Sequence, residues 1–124
     1  MDDDLRKAAG AVAEQAAFEF LQARGLKPVA RNYRCRGGEL DLVMLDGKTL
    51  VFAEVRYRAT ADFGGAAGSV TWHKQRRIIF AAKHFLMTHS SLSHLPARFD
   101  IVAVSGHWQA PRIEWLRAAF VAEG

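Results

Sequence analysis

Asp41, Glu54 and Arg56 are the residues whose types and spacing could do chemistry in this chain: two carboxylates and a guanidinium set among apolar neighbours. They belong to two β-rich runs, residues 37–45 and 48–56, which meet at Asp46-Gly47, a dipeptide that accepts the positive φ of a tight hairpin turn. A two-residue turn at 46–47 pairs Leu45 with Lys48, and counting back pairs Asp41 with Phe52 and Glu39 with Glu54. Side chains alternate along a strand, so Asp41, Glu54 and Arg56 share one face, with the two acids as diagonal neighbours. Carboxylates at that spacing repel unless a cation lies between them. A magnesium-type ion takes hard oxygen ligands and needs only one or two from the protein. Acids on a hairpin are more often a solvated face, but Val43, Leu45, Leu50 and Phe52 share this one. A hairpin apolar on both faces is an interior pair, where charges must be paired or bind metal.

The elements that must position these residues read as follows. Residues 4–24 form a helix capped by Asp3 or Asp4, with Ala9, Val12, Ala13, Ala16, Ala17, Phe20 and Leu21 as its core stripe. Gly25 is its C-cap and Pro28 prevents continuation. Glu14 lies beside the stripe, where an acid taken alone is a surface residue. A short strand at 29–34 leads into hairpin strands at about 39–45 and 49–57. Residues 59–68 are small and glycine-rich, and read as a mobile loop without a Walker or dinucleotide pattern. A second helix spans 71–89, burying Ile78, Ile79, Ala82, Phe85 and Leu86. Residues 98–105 alternate as a strand, 106–111 turn the chain, and 112–115 form a short last strand before an apolar tail at 116–122. The order α-β-β-β-α-β predicts an α/β fold with one mixed sheet flanked by helices.

Charge narrows the partners. The chain has 124 residues and a formal net charge of +4, with 50% hydrophobic and 24% charged residues, the profile of one globular domain with a polyanionic partner. Its first basic stretch is Arg24, Lys27, Arg31, Arg34 and Arg36, without an intervening acid. Between Phe63 and Phe99 the charged residues are Lys74, Arg76, Arg77, Lys83 and Arg98, again without an acid. His73, Lys74, Arg76 and Arg77 crowd a helix N-terminus that the dipole already makes positive. That start is either a basic solvated face or a phosphate-binding end. Cys35 is the single cysteine, so no internal disulfide can form. With no membrane-length apolar run and an acidic start at Met1-Asp2-Asp3-Asp4, a cytoplasmic protein with no membrane partner is expected.

Taken together, these motifs resemble the PD-(D/E)xK, or restriction-endonuclease-like, nuclease superfamily. More narrowly, the chain is similar to the YraN-type family of small bacterial proteins related to archaeal Holliday-junction resolvases. The resemblance runs through Gly10-x-x-Ala13-Glu14-x-x-Ala17, Asn32-Tyr33-Arg34-Cys35-Arg36-Gly37-Gly38-Glu39-Leu40-Asp41-Leu42-Val43, Val51-Phe52-Ala53-Glu54-Val55-Arg56-Tyr57-Arg58, Val70-x-x-x-Lys74-Gln75-Arg76-Arg77 and Arg98-Phe99-Asp100-Ile101-Val102, covering roughly residues 8–120. It implies a divalent ion, Mg²⁺ or Mn²⁺, held by Asp41, Glu54 and the Val55 carbonyl, with Glu14 reaching it directly or through water. It implies a supporting polar role for Gln75 and hydrolysis of DNA, branched or structured forms included. A second copy of the chain is a further candidate partner. The departure from the family is Arg56, where lysine is usual. Arginine keeps the charge and can grip a phosphate bidentately, but its pKa above about 12 makes it a poor proton acceptor. Two functions therefore stand side by side: a metal-dependent endonuclease, and a nucleic-acid-binding protein that keeps the nuclease fold without its turnover. Either way, Arg34, Arg36, Lys74, Arg76 and Arg77 are the expected phosphate contacts.

Overall fold

The computed structural model describes residues 3–58, 70–107 and 109–122, with side chains from residue 7 onward. Helix α1 (Asp3–Ala23) leads to strands β1 (Lys27–Cys35), β2 (Gly38–Asp46) and β3 (Thr49–Arg58). Helix α2 (Trp72–Thr88), a 3₁₀ turn at Ser90–Leu92, and strands β4 (Ala97–Ser105) and β5 (Arg112–Phe120) complete it. The glycine-rich loop expected at 59–68 and the cap expected of Asp3 or Asp4 lie outside the described residues and side chains.

The sheet has the order β1-β2-β3-β4-β5. Every neighbouring pair is antiparallel except β3 and β4, which run parallel and are joined by the crossover that carries α2. One helix covers each face. On one, Ala13, Ala17 and Leu21 of α1 pack against Leu42, Met44, Val51 and Val102. On the other, Ile78, Ile79, Ala82 and Phe85 of α2 pack against Leu40, Val43, Phe52 and Ile101. Covered on both sides, β2 and β3 are nearly continuous apolar runs rather than alternating ones. This mixed sheet between helices, in the expected order α-β-β-β-α-β with β5 added after it, matches the expected restriction-endonuclease-like fold.

Helix α1 ends as Gly25 predicts. Gly25 takes φ 93 and donates to the Gln22 carbonyl at 2.9 Å, while buried Leu26 donates to the Leu21 carbonyl at 3.1 Å, a Schellman arrangement. Its core stripe narrows to Ala13, Ala17 and Leu21, with Val12 36% exposed.

Two expectations are corrected. The hairpin pairs Leu45 with Leu50 and Asp46 with Thr49, so the turn is Gly47-Lys48 rather than Asp46-Gly47. Gly47 has φ 61 at the first turn position, the sign a II′ turn requires there, and Arg98 holds Asp46 at the strand end at 2.9 Å. The shift moves each partner by two residues, which preserves the face of every side chain. The apolar tail expected at 116–122 is instead a continuation of β5 to Phe120. A bulge makes this possible: the register shifts between Phe99 and Ile101, Ala118 takes φ 50, and Phe120 stacks on Phe99 at 5.0 Å between centroids.

Candidate functional site

The β2–β3 ladder is regular up to Leu42 opposite Ala53. One step further in that register, position 41 faces position 54 directly rather than diagonally. Here the alternation of β2 breaks, because Leu40 and Leu42, two residues apart, lie in opposite cores. Across on β1, Asn32 has φ 53 between the pairs Arg31–Leu42 and Tyr33–Leu40. Where the ladder ends, Asp41 Oδ2 accepts the Val55 backbone N–H at 2.9 Å. A side chain has taken up a strand's backbone donor, which brings the Asp41 carboxylate beside Glu54.

Glu54 is 4% exposed. Its Oε2 lies 3.1 Å from Lys74 Nζ and 3.9 Å from an Arg56 terminal nitrogen. Burial, and then Asp41 through its charge and a hydrogen bond, push the Glu54 carboxyl up to about 8 against the pull of Lys74. Glu54 thus keeps its proton to a higher pH than an ordinary carboxyl does. From α1, Glu14 is raised in the same direction, first by burial and then by the Asp41 charge, while Asn32 and Arg31 oppose the shift. Its own ion pair is with Arg31, at 3.8 Å. Asp41 therefore bears on Glu54 by contact and on Glu14 through charge alone. Among the described residues, no three His, Cys, Asp or Glu side chains are gathered as a metal-holding group.

Lys74 reaches Glu54 because α2 lies very close to the start of β2. A Cβ on Gly38 would come within 2.3 Å of the Arg77 carbonyl oxygen, and one on Gly37 within 3.2 Å of the Phe80 ring. Only glycine at 38 permits this approach. Thr71 caps the helix by accepting the Lys74 N–H at 3.2 Å. The first turn of α2 holds no acid of its own, and Glu54 supplies one from β3. Gln75 Nε2 donates to the Val70 carbonyl at 3.0 Å, so its amide anchors the entry to α2.

The other predicted cations lie on β1, in the β1–β2 turn and on α2. Arg34 pairs with Glu39 across the hairpin at 3.2 Å, both exposed. Arg36, Arg76 and Arg77 are exposed, with the Arg76 guanidinium 5.8 Å from the Trp72 ring centroid.

Sequence reasoning missed a second buried carboxylate. Asp100, 0% exposed, accepts from Arg98 Nε at 3.0 and 3.2 Å, from Trp115 Nε1 at 2.9 Å and from the Ala118 N–H at 2.9 Å. An acid inside an apolar strand, with an arginine two residues before it, was the available signal. Its other donors arrive from β5 and no local pattern announces them.

The family model described as "Uncharacterised protein family UPF0102" matches residues 13–104. Relatives include a UPF0102 protein of Pseudomonas putida (strain W619), 54% identical over 90% of this chain and 92% of its own length. Another, from Pseudomonas entomophila (strain L48), is 50% identical over 97% of this chain and 98% of its own. A third, from Cupriavidus taiwanensis, is 52% identical over 95% and 86%.

Proposed function

The chain belongs to the UPF0102 family, related to the YraN-type and PD-(D/E)xK nucleases, and from that premise we propose that it is a metal-dependent endonuclease acting on DNA, branched or structured forms included. The observation that carries this reading is the placement of Glu54: a buried carboxylate beside Asp41, whose own carboxylate takes the Val55 N–H, with Lys74 at 3.1 Å. Hard oxygen donors that are buried side by side suit a divalent cation, whose binding releases any proton they hold. Asp41, Glu54 and the Val55 carbonyl would hold Mg²⁺ or Mn²⁺, with Glu14 acting through water. When bound, such an ion polarises a scissile phosphate and lowers the pKa of an attacking water.

The chain's own side chains do the rest. Arg56 offers a planar fork to a phosphate but does not give up a proton. Lys74, 3.1 Å from Glu54, brings from α2 the amino group that the strand lacks. Gln75 keeps Lys74 in place by holding the chain that enters the helix. Arg34, Arg36, Arg76 and Arg77 grip the flanking backbone.

The same Arg56 supports a second reading, a DNA-binding protein without turnover. Purified protein incubated with linear, flapped and four-way DNA in Mg²⁺, Mn²⁺ or EDTA separates the two. Cleavage in either metal, absent in EDTA and in Asp41→Ala, is expected. Binding without cleavage in every metal leaves the second reading standing. Lys74→Ala should cost about 10²–10⁴ in rate, the usual worth of proton-transfer assistance.

A further inference from the structure

The outward face of α2 carries a stripe of large, exposed side chains outside the acidic centre. Trp72, Arg76 and Phe80 follow one another at four-residue spacing, which places them on one side of the helix. Trp72 is 67% exposed and Phe80 52%, and two turns further on Met87 is 80% exposed. Arg76 lies beside the Trp72 ring, and Lys83 is exposed on the same side. Large aromatic rings in water are unfavourable unless something covers them.

Charge decides among the occupants. A second copy docked on this face about a two-fold axis would lay the stripe against itself. Arg76 and Lys83 would then meet their own copies, and the chain from Phe63 to Phe99 has no acid to offset them. A polyanion suffers no such cost. Duplex DNA would satisfy the cations but leave the rings idle, since its base faces are stacked inside the helix. An unpaired strand offers phosphates and base faces together, which is how aromatic and basic side chains bind single strands. The stripe from Trp72 to Phe80 is about 12 Å long, room for three to four nucleotides at about 3.4 Å each.

We infer that this stripe is a stacking platform for an unpaired DNA strand, which runs along α2. The identity of the polyanion rests on the nuclease reading above; the stacking is tested independently of it. Binding of an oligo-dT strand and of a blunt duplex is measured by fluorescence anisotropy in EDTA, where no metal-dependent cleavage intervenes. Trp72→Ala and Phe80→Ala should each weaken the single strand about 5- to 150-fold. Duplex affinity should change less than about two-fold, since base faces are not offered there. Trp72→Phe should restore single-strand binding, because a ring remains. Wild type that binds oligo-dT in EDTA but cleaves no DNA in Mg²⁺ or Mn²⁺ counts against the nuclease reading and not against the platform. Equal losses for both DNAs, or unchanged oligo-dT binding in the double Ala variant, overturn the inference. So does loss of a self-associated species in that variant with oligo-dT binding intact.

Discussion

Glu54 and Asp100 are the buried charged residues among those described, and they sit on adjacent parallel strands in opposite conditions. Asp100 is surrounded by donors: a guanidinium that is itself held by Asp46, an indole N–H and a backbone N–H from the β5 bulge. Glu54 faces another carboxylate, with Lys74 as its close cation and Arg56 at 3.9 Å. A buried carboxylate whose acceptors are all used ties strands together. One that is buried against a second carboxylate has its pKa raised, and a metal cation can take the place of its proton. The same residue class on the same sheet thus serves architecture at one place and chemistry at the other.

The strongest way to break this contrast is to remove the satisfied acid. Asp100→Ala leaves Arg98, Trp115 and the Ala118 N–H without their common acceptor, and should cost about 3–5 kcal/mol in denaturant unfolding. If it costs no more than Glu54→Gln, the two acids are not different in kind.

Next in size is Gly38→Ala. The added Cβ meets backbone 2.3 Å away, so α2 must move, at about 1–3 kcal/mol. DNA cleavage should fall along with stability, since Lys74 is drawn off Glu54. Unchanged activity would show that the Lys74 approach is incidental.

The pH dependence sharpens the contrast further. Glu54 is raised from 4.5 to about 8, so the folded state binds its proton more tightly than the unfolded state does. Its contribution is fully present below about pH 4.5 and is lost as the pH rises through 8. Glu54→Gln removes that slope. It should match wild type near pH 5 and exceed it at pH 8 by about 1 kcal/mol or more, the cost of a buried group left partly uncompensated. Addition of Mg²⁺ at pH 8 should raise the melting temperature of wild type and not of the variant. A variant less stable than wild type at pH 8 would mean that Lys74 and Arg56 fully compensate Glu54.

The smallest expected effect is at the exposed Arg34–Glu39 pair. Arg34→Ala should change stability by less than about 1 kcal/mol. In duplex DNA binding it should flatten the log–log salt dependence by about 0.9 if Arg34 contacts one phosphate. An unchanged slope would assign Arg34 to the hairpin alone.

By itself the sequence determined whatever depends on short-range geometry. Period-two and period-3.6 patterns located both helices and the first four strands, and Gly25 marked the end of α1 through a backbone that only glycine adopts freely. The face shared by Glu54 and Arg56 was also readable, because alternation does not depend on which residue opens the turn. Tertiary structure alone decided the rest. The break in β2 at Asp41 lies opposite the positive-φ backbone of Asn32 on a neighbouring strand, and the full length of β5 needs Phe99 and Asp100 to dock against. Lys74 was visible as a basic residue at a helix start, equally suited to solvent or to phosphate. Its place at Glu54 is set by the close approach of α2 to Gly38, a contact between segments far apart in the chain that no local period encodes.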